Sequence, residues 1–382
     1  GVRLRGNTSR RRPEGWTGQN HDAQNPDWHH CHFVVKFQEY KDNVLFCEND
    51  RVTLKWFKDD AAYCREVYCY DLFRRFGVYT APRVAYTRLT INVLGDPKPA
   101  YFGVYVLLEG VNDSYLTNRK KAGHFISDQG NLWKASWGAN LSPSTMTDDK
   151  MGVEKVKLDD SQSQYFTYDL KTNKKKLDDA RTQLKSFIND MNPLPSGSAA
   201  LKSYLEQRVD IDLFLRAYAV NVMVGMWDDY WYSTNNFYFY FDTDGKFYFI
   251  PFDYDNTLGT SHLMENSGTQ NVLAWGDLGG ERMLMRKIMS IDEFKNKYKD
   301  YIKELAASDD FFKTEGSIAR IESWHSKIRN FVSNDTGEDM QIIDRPAEWG
   351  NCPFYRLFSG NNQGGTNGNA NFFSTKISSL DF

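Results

Sequence analysis

Cysteine is scarce and scattered. The 382 residues hold five, at Cys31, Cys47, Cys64, Cys69 and Cys352. That odd set, compatible with a single bridge, is no disulfide framework, so the fold must rest on its core. Long apolar runs are missing too, and no stretch approaches the roughly 20 residues of a membrane-spanning helix. Charge of one sign is not in excess. The 47 Lys and Arg against 50 Asp and Glu leave a net charge of −3, which gives a nucleic-acid binder no footing. There is no internal repeat, and no signal peptide is visible. The chain opens at Gly1-Val2-Arg3-Leu4 as if in mid-strand and reads as an excised domain, so the missing leader decides nothing.

What the sequence has in quantity is aromatic side chain. With 22 Tyr, 26 Phe and a hydrophobic share of 41%, it can fill a large core. Its length exceeds one average domain and suits two lobes around a cleft. The most informative stretch is Trp227 to Gly259. Asp228 and Asp229 follow a long apolar helical pattern. Asn235 and Asn236 open an aromatic strand, Phe237 to Phe241. Asp242-Thr243-Asp244-Gly245 predicts a tight hairpin, and Lys246 to Ile250 is the return strand, ended by Pro251. Such a hairpin places Asp253 and Asp255 near Asn236. Carboxylates and a carboxamide converging at one end of a hairpin suit a hard divalent cation such as Mg2+, which prefers oxygen ligands and leaves room for phosphate. Taken singly, each acidic cluster reads equally as a cap or turn.

Upstream, Val2 to Asn7 reads as a strand, and Arg5 beside the Gly6-Asn7 turn is a place for a phosphate or an ordinary solvated Arg. Residues 10–31 read as a long irregular insertion. His29-His30-Cys31-His32 lacks a second cluster at ligand spacing and reads as loop. His32 to Gln38 alternates as a strand carrying Lys36, either an edge guard or a charge aimed into a cleft. Asp60 to Phe76 predicts a helix containing Glu66 and closed by Gly77. Val84 to Val93 and Tyr101 to Leu108 predict two strands, split by Gly95-Asp96-Pro97 and followed by a linker at Glu109 to Val111. Further on, Asn131 to Lys134 reads as a short strand. The Lys174-Lys175-Lys176 run reads as solvated loop and helix start. Asp178 to Met191, Leu201 to Met226, Glu281 to Ser290, Ile291 to Leu305 and Ile318 to Phe331 read as helices, and the Gly/Asn-rich Asn361 to Asn371 as a mobile segment.

A strand with a Lys, a helix with a Glu, two strands and a linker follow the order of a protein kinase small lobe, where the Lys grips nucleotide phosphates and the Glu holds the Lys. The His-Arg of the kinase catalytic loop is absent before Asp228, the interval to Asn236 is longer, and Tyr254-Asp255 replaces Phe-Gly. The resemblance becomes specific at "LRGNTSR" from Leu4, "REVYCYDLFRRFG" from Arg65, "FGVYVLLEG" from Phe102, "VDIDLFLRAYAVNVMVGMWDD" from Val209 and "NNFYFYFDTDGKFYFIPFDYDNTLG" from Asn235. On these patches the chain resembles the CotH kinase family, kinase-like proteins named after a spore-coat protein. Two departures stand out: the insertion at 10–31, and Phe252 where family members usually have Trp.

The resemblance implies an α+β, two-lobed protein-kinase-like fold, with a small β-rich N-lobe at 1–110 and a larger helical C-lobe at 111–382. It also implies ATP and Mg2+ as cofactors and phosphoryl transfer to Ser/Thr hydroxyls of a protein acceptor, in a monomer set in an extracytoplasmic or coat location. Asp228 matches the catalytic-loop Asp and Asp253 the metal-binding Asp. Lys36 and Arg5 are expected on the phosphates, with Glu66 holding Lys36. The adenine is expected at Glu109 to Val111, and Asn236 and Asp255 beside Asp253 at the metal. Three alternatives stay open. One is transfer of another group, by adenylylation or by amino-acid ligation such as glutamylation. The second is a non-catalytic surface pseudokinase. The third is a haloacid-dehalogenase-like phosphatase with Asp253 as nucleophile and Asp255 as general acid; that fold needs alternating strands and helices after the motif.

Overall fold

The computed structural model describes residues 1–6, 13, 30–58, 60, 62–92, 94, 99–157, 160–260, 264, 267–276, 282–332 and 371–382. Most of the 10–31 insertion, His29, the Gly95-Asp96-Pro97 turn, Cys352 and nearly all of the Gly/Asn-rich segment lie outside them. The chain is α+β, with two five-stranded sheets and surrounding helices, an arrangement compatible with a kinase-like fold.

The first sheet contains β1 (Val2–Arg5), β2 (His32–Lys36), β3 (Arg51–Lys55), β4 (Val84–Ile91) and β5 (Ala100–Glu109). Their order is β1-β2-β3-β5-β4, every neighbour antiparallel. The middle strand, β3, is one the sequence reading passed over. Helix α1 (Arg65–Arg75) runs between β3 and β4, and starts later than the expected Asp60. The reason lies in the Asp60 carboxylate, which accepts bonds from the backbone N–H of Ala62 (3.1 Å), Cys64 (2.9 Å) and Arg65 (2.8 Å) and so sets the helix start from five residues ahead. His30 stacks on Trp56 at 4.8 Å, so this part of the His cluster serves the sheet's packing.

Helix α2 (Asp113–Lys121) leads to the second sheet, made of β6 (Asn131–Ala135), β7 (Met151–Gly152), β8 (Tyr168–Leu170), β9 (Phe237–Phe241) and β10 (Phe247–Pro251). Its order is β10-β9-β6-β8-β7, antiparallel except for β7 against β8. The hairpin β9–β10 forms at the predicted Asp-Gly turn, with Phe237 opposite Pro251. Phe237, Phe239, Phe241, Phe247 and Phe249 share one face. They pack with Phe187, Phe214 and Trp231, for example Phe187 on Phe247 at 5.3 Å and Trp231 on Phe249 at 4.6 Å. Each buried Phe contributes roughly 1.5–3 kcal/mol. Tyr238, Tyr240, Tyr248 and Ile250 take the opposite face, where Phe125 covers Tyr240 and Tyr248.

Among the described residues, the remaining α-helices are α3 (Leu177–Met191), α4 (Ala199–Arg208), α5 (Ile211–Met223), α6 (Met283–Met289), α7 (Asp292–Ala307), α8 (Thr314–Val332) and α9 (Phe372–Ser378). The single helix expected over Leu201 to Met226 is two. Asp210 interrupts it by capping α5, accepting from Leu213 N–H at 3.0 Å and from the Tyr79 hydroxyl at 2.6 Å. After β10 come α6, α7 and α8 rather than alternating strands and helices among the described residues, and β10 itself is one arm of an antiparallel hairpin. A dehalogenase-type sheet is not what carries Asp253 here. Helix α9 closes the core beside the turn after α5. A Cβ on Gly225 would sit 2.7 Å from the Phe372 ring, Phe373 packs on Tyr68 of α1 at 5.3 Å, and the fully buried Lys376 donates to the Ser267 carbonyl at 2.5 Å. Among the described residues, no helix is long and apolar enough to cross a membrane.

Candidate active site

Four charged side chains meet where the two sheets approach. Lys55, at the end of β3, is 4% exposed, which an ammonium tolerates only when its protons have partners. Its Nζ lies 2.7 Å from Glu66 Oε2 of α1 and 3.2 Å from Asp255 Oδ2, and it also donates to Asp253 Oδ1. Three N–H bonds thus reach three carboxylates. Burial alone would lower the Lys55 pKa, but Asp253, Asp255 and Glu66 outweigh it and raise it. For Asp253, burial alone would raise the pKa, yet Lys55 and Arg5 hold it well below the usual carboxylate range. Burial pushes Glu66 up, with Lys55 opposing.

Local structure fixes this cluster. Arg65, next to Glu66, donates from Nε to the Thr257 carbonyl (2.9 Å) and from a terminal nitrogen to Asp60 (2.6 Å), tying the start of α1 to the loop after β10. One and a half turns further along α1, the Tyr70 hydroxyl accepts from the Asp253 N–H at 3.0 Å. Phe73 packs edge-on against Tyr254 at 4.7 Å. Asp253 has φ +67° and Asn236 has φ +47°, left-handed backbone that non-glycine residues seldom adopt. Both sit at the same end of the β9–β10 hairpin, and strain of this kind gathers at functional loops.

Asp228 lies in the turn region between α5 and β9. One carboxylate oxygen accepts from Ser233 Oγ (3.1 Å) and Asn235 Nδ2 (3.0 Å), the other from Asn236 Nδ2 (2.9 Å). Burial raises the Asp228 pKa, the three bonds oppose it, and the negative charge on Asp253 adds to the rise. Asp229 faces the other way. It is 1% exposed, accepts from Tyr232 N–H at 3.0 Å, and burial pushes its pKa up to about 8. The two adjacent acids are therefore distinct: Asp228 belongs to the cleft and Asp229 to the support beneath it.

The oxygens of Glu66, Asp253 and Asp255 lie within 4.8 Å of one another, and Glu66 Oε1 is buried without a hydrogen-bond partner. An all-oxygen donor set with an unsatisfied member fits a hard cation such as Mg2+. The family model described as CotH kinase protein matches residues 2–349, nearly the whole chain. The chain belongs to the CotH kinase family. A search of curated proteins found no match to it.

The positions expected from the CotH resemblance are only partly brought together. Glu66, Asp253 and Asp255 meet at one lysine, with Asp228 and Asn236 beside them. That lysine is not Lys36. Lys36 stands on β2, its side chain 41% exposed and paired with Glu39 at 2.7 Å. In the register of the sheet, β3 lies between β2 and β5, and the alternation of β3 turns Lys55 inward. Because β2 lies between β1 and β3, Lys36 is neither an edge guard nor a charge in the cleft but a solvent-facing residue on an inner strand, and Lys55 replaces it at Glu66. Arg5, at the end of β1, places its guanidinium 5.1 Å from the centre of the Phe252 ring, the residue before Asp253. Glu109 turns its carboxylate away into a buried network, accepting from Arg83 N–H (2.9 Å), Arg83 Nε (3.0 Å) and Arg119 (2.9 Å). Val111 is buried in the linker.

Proposed function

We propose that this CotH-family chain is a two-lobed, ATP- and Mg2+-dependent kinase, its lobes formed by residues 1–110 and 111–382, that phosphorylates Ser/Thr hydroxyls of a protein acceptor. The observation that carries this reading is the Lys55 ammonium held by Glu66 of α1 and opposed to Asp253, the arrangement that phosphoryl-transfer sites use to place phosphates. Mg2+, held by Asp253 with Asp255 and Asn236, would supply neutralisation of the charge building on the transferred group. Because Asn236 spends its amide nitrogen on Asp228, its carbonyl oxygen is the atom left to offer a metal.

Lys55 grips phosphate oxygens while Glu66 keeps it in place. Asp228 orients the acceptor hydroxyl and takes its proton as the oxygen bonds to the γ-phosphorus and the bridging oxygen departs with ADP. A carboxylate with a raised pKa is the better base for that proton. At the linker, the Glu109 and Gly110 N–H groups donate to the carbonyls of Arg83 and Arg51, so an amide donor for adenine falls to Val111. The extracytoplasmic setting rests on the family resemblance alone.

ATP labelled at the γ or the α position, incubated with the chain and a generic protein acceptor, tests the reaction. Label from the γ position alone on protein supports phosphoryl transfer. Label from the α position replaces it with nucleotidyl transfer, and label from neither overturns both.

A further inference from the structure

The open edge of the first sheet borders a cavity away from the charged cluster. Strand β4 ends that sheet, and among the described residues no strand pairs with its far side. The Glu109 N–H donates to the Arg83 carbonyl at 2.9 Å, which fixes the alternation along the pair. Ala85 and Thr87 bond to β5, while Val84, Tyr86 and Arg88 turn their N–H and carbonyl groups away from it. The run is regular as far as the bulge at Leu89/Thr90. An open edge of regular backbone is a template for another strand, and from Val84 to Arg88 this one carries neither bulge nor proline.

Beside the edge lies a cavity of about 480 Å³, lined by Val84, Ala85 and Tyr86 of β4, by α1 and by Trp324 of α8. The α1 residues Val67, Asp71 and Arg74 recur at helical spacing on one face. They lie one residue round the helix from Glu66, Tyr70 and Phe73, which face the candidate active site. Val67 and Trp324 give the cavity an apolar floor, and its rim is basic. Asp71 is the one acid among the lining residues, and its carboxylate is shared by Arg75 at 2.7 Å and Arg320 at 3.5 Å. Arg74 is exposed, and among the described residues its guanidinium has no hydrogen bond or ion pair. An occupant that pairs with the edge, rests apolar side chains on Trp324 and offers a carboxylate to Arg74 meets all three features.

We propose that this edge and cavity are a docking site for an extended acidic segment of a partner protein, which joins the sheet at β4. The segment's backbone pairs with Val84, Tyr86 and Arg88, its apolar side chains rest on Trp324, and a carboxylate meets Arg74. The test uses the full chain and a synthetic peptide of repeating Val-Thr-Glu-Thr, which as a strand sets valine and glutamate in turn on one face. A peptide with lysine in place of glutamate is the control. Calorimetry should show the acidic peptide binding and the basic one not. Arg74→Ala should weaken the acidic peptide about tenfold, the size expected for one charge-assisted hydrogen bond. Hydrogen exchange in the bound chain should slow at the Val84, Tyr86 and Arg88 amides. No binding of the acidic peptide, equal binding of both peptides, or unchanged affinity in Arg74→Ala overturns the proposal. So does binding that leaves those three amides unslowed, which puts the peptide elsewhere. Amides already protected without peptide overturn it too, because the edge would then be filled by the chain itself or by a second copy.

Discussion

At the scale of single residues, Asp228 and Asp229 show how one step along the chain separates two chemistries. Asp228 has three side-chain donors and a place in the cleft; Asp229 has a backbone donor and none of the cleft. Asp228→Asn keeps the shape and removes the charge, and with it the base of the proposed transfer. Turnover is expected to fall by roughly 10²–10⁴ with ATP affinity nearly unchanged. Steady-state kinetics beside calorimetry checks this, and unchanged turnover would move the role elsewhere. Asp229 predicts a pH effect instead. Its folded pKa, raised to about 8, lies above the ordinary value of about 3.9. The folded chain therefore keeps a proton that the unfolded chain has lost, and stability drains away as pH rises from about 4 to about 8. Asp229→Asn should gain on wild type between pH 5 and pH 8 in denaturant midpoint. Parallel curves would show that Asp229 is ionised in the fold.

Elements were legible to different depths. The β9–β10 hairpin could be read directly because Asp-Gly and strict alternation agree, and the placement of Asp253 near Asn236 follows from that turn. Glu66 was legible from the helical spacing after Asp60. Strand β3 was not. Arg51–Lys55 is five residues long with a charge at each end, so it offers no run to recognise, and its worth comes from non-local pairing with β2 and β5. Its one local signal was Val-Thr-Leu, short and β-branched in part. That gap is what sent the site lysine to Lys36. The break between α4 and α5 did carry a signal, since Asp210 precedes an apolar run and can cap it, but the helical periodicity runs on through it. Asp210→Ala removes that cap and the acceptor of the Tyr79 hydroxyl. A cost of about 1–2 kcal/mol is expected in urea unfolding. No change would mean that Asp210 breaks the helix without stabilising it.

For the whole molecule, ligand binding should register as stability. Mg2+ with ATP at about 100 times its Kd adds about 2.7 kcal/mol to the folded state, seen as a rise in melting temperature. Lys55→Met should abolish that rise and Lys36→Met should preserve it. Loss of the rise in Lys36→Met alone would return the phosphate contact to β2.

Helix α9 carries a further consequence, for the order in which the protein can be made. Phe372 fills the space beside Gly225, three residues ahead of Asp228, and Lys376 reaches the Ser267 carbonyl. A ribosome that has reached residue 332 has supplied both sheets and the Asp228 loop, yet the hollow at Gly225 still stands open. The fold would therefore close in two stages, with the surroundings of Asp228 completed only once residues 371–382 have been made. Nascent chains arrested with residue 332 outside the exit tunnel should be cut by protease near the Asp228 loop, and chains arrested with residue 382 outside should resist; equal resistance would show that α9 is only a late ornament on a finished core.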